Sequence, residues 1–105
     1  MLGGLEQMAL LAILRLKEDA YAVAIRKELA SRTGKTVSRG ALYTVFERLE
    51  GKGFLSSWMG KPTPERGGRA KRYYRVTAMG RRALKQSKKT MQSLWRGLEA
   101  ELGEI

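Results

Sequence analysis

Cysteine and histidine are both missing from this 105-residue chain. The absence of cysteine excludes a disulfide framework and a thiolate zinc site. The absence of histidine removes the commonest general base and the commonest metal ligand. Carboxylates, lysines, serines and tyrosines remain for catalysis, and the ten carboxylates form no paired constellation in an apolar setting. An enzyme is therefore the poorest reading, and neither a cofactor nor a metal is expected. Gly51-Lys52-Gly53 is no phosphate loop, because Ser56 stands where a third glycine is needed and a strand pattern follows. Long apolar runs are lacking too. The one candidate, Leu5 to Leu16, is too short to span a bilayer and contains Glu6, Gln7 and Arg15. It has neither the basic lead nor the small-residue cleavage site of a secretory signal, so a cytoplasmic location without a membrane partner is expected.

Acidic residues are also scarce. Ten stand against 21 lysines and arginines, for a formal charge of +11. A balance this basic points to a polyanion, either nucleic acid or an anionic membrane surface. Residues 1–34 carry a net +1, residues 76–105 a net +3, and residues 35–75 a net +7 from ten basic and three acidic side chains. Solubility alone does not predict that concentration, whereas a phosphate-contacting surface does. A membrane-surface chain wants a basic amphipathic helix with large exposed apolar residues. Here the basic residues fall mostly in loop and strand patterns.

The central stretch is Ser38 to Gly53. Ser38 is a good N-cap, Val37 and Leu42 have hydrophobic-staple spacing, and Gly51 and Gly53 can close a helix C-terminus. Leu42, Val45, Phe46 and Leu49 recur at helical spacing as a buried stripe. Gly40, Tyr43, Thr44 and Glu47 lie opposite, polar or small. Two readings fit: an ordinary amphipathic surface helix, or a helix half anchored in a core and half offered to a DNA groove.

The neighbouring segments bear on that choice. Leu5 to Leu16 is a helix pattern apolar almost all round, so it is buried on two sides, the second against its own core or another subunit. Lys17-Glu18-Asp19 is a polar break. A helix from about Tyr21 to Arg32 buries Ala22, Ile25 and Leu29, leaves Arg26, Lys27, Glu28 and Arg32 solvated, and ends at Gly34. With the Ser38 helix it forms a helix-turn-helix pattern. Phe54–Met59 and Ala70–Val76 read as two strands joined by a Gly/Pro loop, and Tyr73 and Tyr74 alternate between core and surface. From Thr77 as N-cap a single helix is expected from Ala78 to Leu102, about 35–40 Å long. Leu84, Met91, Trp95, Leu98, Leu102 and Ile105 keep heptad-like spacing along it.

The stretch Ser38-Arg39-Gly40-Ala41-Leu42-Tyr43-Thr44-Val45-Phe46-Glu47-Arg48-Leu49-Glu50 with Gly53 closely resembles the recognition-helix signature of the PadR family of winged-helix transcriptional regulators. Gly67-Gly68-Arg69-Ala70-Lys71-Arg72-Tyr73-Tyr74-Arg75-Val76-Thr77-Ala78-Met79-Gly80 resembles its wing, second strand and following helix start. Tyr21-Ala22-Val23-Ala24-Ile25 is similar to its second-helix opening, with Ala22 where a glycine is common. The single C-terminal helix is similar to the smaller PadR subfamily. The resemblance implies a mainly α chain with a small β-hairpin: a winged helix-turn-helix over residues 1–77, and a long dimerisation helix over 78–105. It implies a homodimer, built through the C-terminal and first helices, that binds a palindromic operator in double-stranded DNA, usually as a repressor.

The expected DNA-contacting residues are Ser38, Arg39, Gly40, Tyr43 and Thr44 on the helix, with Lys61, Arg66, Gly68, Arg69 and Lys71 on the wing. Ser38, Arg39 and Thr44 are candidates for base edges or nearby phosphate. Arg39 is either a bidentate guanine reader or a phosphate clamp. Glu47 would face phosphate or accept from a cytosine amine. Tyr43 matches the family's phosphate-contacting tyrosine. Leu5, Met8, Leu84, Met91, Leu94, Trp95, Leu98 and Leu102 are the expected dimer interface. Trp95 is read as dimer core or as a contact to a small-molecule effector. Some relatives hold flat aromatic compounds between tryptophans, but Met91 falls where that tryptophan stands and Trp95 comes one turn later. A non-specific architectural nucleic-acid binder shares the charge but needs no defined groove face. A protein-interaction module is a third reading, and failure to bind any DNA at low salt would favour it.

Overall fold

A first helix whose apolar side chains point almost everywhere needs cover on several sides, and the remaining elements assemble around it. The computed structural model describes residues 2–61 and 70–103. Helix α1 spans Gly4–Leu16 and a 3₁₀ turn follows at Lys17–Asp19. Helices α2 (Ala22–Thr33) and α3 (Arg39–Gly51) come next, then strands β1 (Leu55–Met59) and β2 (Arg72–Val76). Helix α4 (Ala78–Trp95) and a one-turn helix α5 (Glu99–Leu102) complete the chain. The strands pair antiparallel, with Leu55 opposite Val76 and Met59 opposite Arg72. The Ala20 carbonyl accepts from Tyr74 N–H, which lays the segment before α2 along the free edge of β2 as a bridge between Tyr21 and Tyr73.

The core is one cluster. Ala9, Leu10, Ala12 and Ile13 of α1 meet Ile25 and Leu29 of α2, the α3 stripe, and Leu55, Tyr74 and Val76 of the hairpin. All four α3 stripe residues, Leu42, Val45, Phe46 and Leu49, are buried. The Phe46 and Tyr74 rings stack at 4.1 Å and pin the hairpin against α3. Burial pushes the Tyr74 phenol up to about 12, so this tyrosine stays neutral and acts as core.

Local chemistry sets the element ends. Ser38 Oγ accepts from Ala41 N–H at 3.1 Å, a side-chain N-cap. At the other end Gly53 adopts φ +78°, with Gly53 N–H bonded to Glu50 O and Phe54 N–H to Leu49 O. That double closure needs a left-handed residue at Gly53. It takes Phe54 out of the expected strand, since its amide finishes α3 and its carbonyl accepts from Thr77 N–H. Thr77 caps α4 as expected, accepting from Gly80 N–H and donating to Gly53 O. Gly80 faces that junction closely: a Cβ there would lie 2.3 Å from the Phe54 carbonyl oxygen.

Three expectations change. The C-terminal helix is not continuous to Leu102: α4 stops at Trp95, Gly97 takes φ +83°, and α5 starts at Glu99. The heptad-like spacing continues across this break, but the backbone does not. Arg26 is not simply solvated, because its Nε donates to the Val37 carbonyl at 3.1 Å and ties α2 to the residue before the α3 cap. Leu84 is buried within its own chain, which leaves little of it for a partner. Ile105 lies outside the described residues.

Candidate nucleic-acid interface

Burial of the Leu42–Leu49 stripe fixes the rotation of α3 about its axis. Arg39, Gly40, Tyr43, Thr44 and Glu47 therefore share the exposed side. Ser38 Oγ accepts the Ala41 amide, so its own O–H is free to donate outward. Thr44 is the reverse: its Oγ1 donates to Gly40 O at 3.0 Å. That spends the proton and leaves lone pairs and a methyl group facing out, a group suited to a base amine or a thymine methyl rather than to phosphate. Among the described residues the amides of Arg39 and Gly40 take no partner. With no acid in the first turn, this helix start favours an anion. A Cβ at Gly40 would meet nothing within 4 Å, so no packing inside the chain requires glycine there. Tyr43 is 45 % exposed, with its ring edge-on to the buried Phe46.

The hairpin stands beside this face. Lys61 and Lys71 are exposed where the described parts of the two strands end, and Lys71 Nζ sits 4.3 Å over the Tyr21 ring. The expected wing residues Arg66, Gly68 and Arg69 lie outside the described residues. Arg72 Nη1 donates to Ser57 Oγ, and Ser57 Oγ donates to Glu50 Oε1, each at 3.1 Å. This chain joins the last turn of α3 to both strands. The outer side of the sheet carries a second array. Trp58 stacks on Tyr73 at 6.0 Å, Tyr73 meets Tyr21 edge-on at 5.8 Å, and the Arg75 guanidinium lies 5.1 Å from the Trp58 ring.

An N-capped helix offering a polar face and free amides, flanked by a basic antiparallel hairpin, is the arrangement of a winged helix-turn-helix. The sequence profile of the Transcriptional regulator PadR-like family matches residues 10–86. The chain belongs to the PadR-like family. Among its curated relatives, "Transcriptional regulator Rv3488" of Mycobacterium tuberculosis is 41% identical over 78 residues, 74% of this chain and 68% of that one. An uncharacterized protein of Lysinibacillus sphaericus is 34% identical over 73 residues, 68% of this chain. That match spans 64% of the Lysinibacillus protein, just under two thirds of its length. A PadR-like transcription factor from Bacteroides fragilis superposes with a TM-score of 0.72 at 27% identity, over 91% of this chain and 87% of that one. A PadR family transcriptional regulator from Eggerthella lenta gives 0.72 at 29%, over 94% and 84%. A Bacillus cereus PadR-like regulator, at 21% identity and a TM-score of 0.75 over 96% and 93%, shows the fold alone.

Within this PadR-like chain, Arg39, Gly40, Tyr43 and Thr44 of α3 and its N-cap Ser38 are all exposed, and Lys61 and Lys71 are exposed on the hairpin side, Lys71 over the Tyr21 ring. The expected interface residues divide. Met8, Met91, Leu94, Trp95, Leu98 and Leu102 are exposed, Leu5 is half-buried, and Leu84 is covered. A cleft of about 620 Å³ runs between α1 and α4, with Leu11, Leu14, Met91 and Trp95 in its wall. The sequence reading did not single out the Glu50–Ser57–Arg72 chain, the Trp58–Tyr73–Tyr21 array or Arg26. Cross-strand register could have suggested the first two; for Arg26 the sequence holds no signal. No helix among the described residues is long and apolar enough to cross a membrane.

Proposed function

We propose that this PadR-like chain is a sequence-specific DNA-binding repressor that acts as a homodimer on a palindromic operator. The observation that carries the reading is the α3 surface. Its buried stripe holds one polar side outward, and Ser38 caps a helix start whose free amides and Arg39 suit an anion. In this reading α3 enters the major groove. Tyr43 and the Ser38 hydroxyl contact phosphate, Arg39 reads guanine, and Thr44 accepts from a base amine or meets a thymine methyl. Lys61 and Lys71, with Arg66, Gly68 and Arg69, grip the backbone or minor groove from the wing.

The dimer forms through α1 and α4. Met8 and Leu11 on one helix and Met91, Leu94 and Trp95 on the other are large, apolar and exposed, and a second copy would cover them. Trp95 belongs to that contact; quenching of its fluorescence by planar aromatic compounds would assign it to an effector instead.

Selection of bound sequences from a random DNA pool tests the whole reading. The expected result is an inverted repeat whose half-sites lie about 34 Å apart, one turn of DNA. Enrichment without a consensus would identify a non-specific architectural binder, and no enrichment at low salt would remove nucleic acid as the partner.

A further inference from the structure

A line along α3 opposite its buried stripe passes through Gly40, Thr44, Glu47 and Gly51, spaced four, three and four. All four residues are exposed. At about 100° per residue, Tyr43 and Arg48 stand roughly 70° to either side of this midline. A helix lying in the major groove turns its midline to the base edges and its flanks to the two phosphate walls.

No side chain on the midline has a proton to donate. Thr44 Oγ1 has already donated to Gly40 O. Glu47 is a carboxylate, acceptor-only when ionised, and makes no hydrogen bond or ion pair with the described residues. The two glycines have no side chain, and the fold does not ask for them. A Cβ at either would meet nothing within 4 Å, and neither has a positive φ. Bare backbone before and after Thr44 and Glu47 instead lets a partner surface come close to both.

An acid facing the phosphate walls would weaken every complex by repulsion. On the midline it faces the groove floor, where the donors are the N4 amine of cytosine and the N6 amine of adenine. Their neighbours differ. The adenine amine lies between two acceptors, its own N7 and thymine O4. The cytosine amine has an acceptor, guanine O6, on one side only. A group with two acceptor oxygens is therefore repelled less at cytosine.

We propose that Glu47 is a specificity-determining residue of α3: its carboxylate accepts from the N4 amine of one cytosine in each half-site, and Thr44, one turn earlier, meets an adjoining base pair. This rests on the reading of α3 as a groove helix and adds the base that the middle of that helix selects.

Selection from a random-core duplex pool with the full-length wild type, Glu47→Gln and Glu47→Ala tests this. The wild-type consensus should hold a cytosine column in each half-site. Glu47→Gln should turn that column to adenine, because a carboxamide pairs with adenine N6 and N7 together. Glu47→Ala should lose the column and keep the rest of the consensus, which also shows that the variant is folded. In fluorescence anisotropy, replacing that C·G pair by T·A should weaken wild-type binding roughly ten-fold and leave Glu47→Ala binding unchanged. A Glu47→Ala variant that keeps every column and binds all duplexes more tightly would place Glu47 against phosphate and overturn the proposal, while leaving α3 in the groove. A wild type that selects no consensus would overturn the sequence-specific reading itself, and this proposal with it.

Discussion

Arg39 is the side chain whose role most directly separates sequence reading from simple adhesion. It begins α3, is exposed, and forms no hydrogen bond or ion pair with the described residues. A guanidinium bound to guanine O6 and N7 contributes roughly 1–3 kcal/mol of discrimination, whereas a phosphate clamp contributes affinity without preference. Arg39→Ala should therefore lower affinity for the selected operator while leaving random duplex almost unaffected. An equal loss on both, by fluorescence anisotropy, would make Arg39 a clamp. Glu6 poses a different question, since it is a carboxylate buried in α1. It accepts from Gly3 N–H at 2.8 Å and from Lys52 Nζ at 3.0 Å. The Gly3 amide first, and then Lys52, hold its pKa below the usual glutamate value. A depressed carboxylate contributes stability that is present above its unfolded pKa and is lost as pH falls through the folded one. Glu6→Gln should cost about 1 kcal/mol at neutral pH in urea unfolding, since Lys52 is partly solvated. The difference from wild type should shrink below about pH 4. A pH-independent difference would show that the charge of Glu6 is irrelevant. Nothing in the sequence pattern marks Glu6 as buried, because its partner lies 46 residues away.

At the scale of elements, much was legible because helix periodicity and caps are local. The Leu42–Leu49 stripe, the Ser38 and Thr77 caps and the Gly34 and Gly53 closures depend on residues within one or two turns, and all appear in the structure. The C-terminal break was not legible. Leu98 and Leu102 continue the apolar spacing, and one glycine inside a helical pattern costs only about 1 kcal/mol. That penalty decides the outcome where no core covers the helix, as beyond Leu94. The packing of α4 on the hairpin was equally hidden, since it depends on a glycine read only as part of a motif. A Cβ at Gly80 would lie 2.3 Å from Phe54 O and 2.8 Å from Val76 Cγ1. The Phe54 carbonyl cannot simply retreat, because it accepts from Thr77 N–H. Gly80→Ala should destabilise the fold by about 1–3 kcal/mol through this overpacking. An unchanged urea midpoint would mean that α4 is seated elsewhere. The α3 side of the candidate site was readable from spacing alone, whereas the Arg72–Ser57–Glu50 chain depends on strand register and on a helix end seven residues from Ser57.

For the whole molecule, the decisive quantity is how charge is divided between two surfaces. The chain carries +11; α3 itself is balanced, with two basic and two acidic side chains, so the excess of residues 35–75 lies mostly from Lys52 through the hairpin to Arg75, and α4 carries five basic residues and no acid. If only the first set meets DNA, the number of neutralised phosphates is set by α3 and the wing. Six to ten contacts per dimer would give a slope of log affinity against log salt of about −0.9 per phosphate, and a loss of about 10³–10⁵-fold between 50 and 200 mM. Salt also acts on self-association, so the titration belongs at protein concentrations well above the dimer dissociation constant, where only DNA binding responds. Under that condition Lys61→Ala and Lys71→Ala should each reduce the slope, because each removes a wing contact in both protomers. Lys85→Ala and Lys88→Ala should leave it unchanged, because their charges line the α1–α4 cleft and not the α3 face. A slope near zero would remove phosphate contact as the basis of affinity. A slope that falls as much for Lys85→Ala as for Lys71→Ala would place α4 on the DNA.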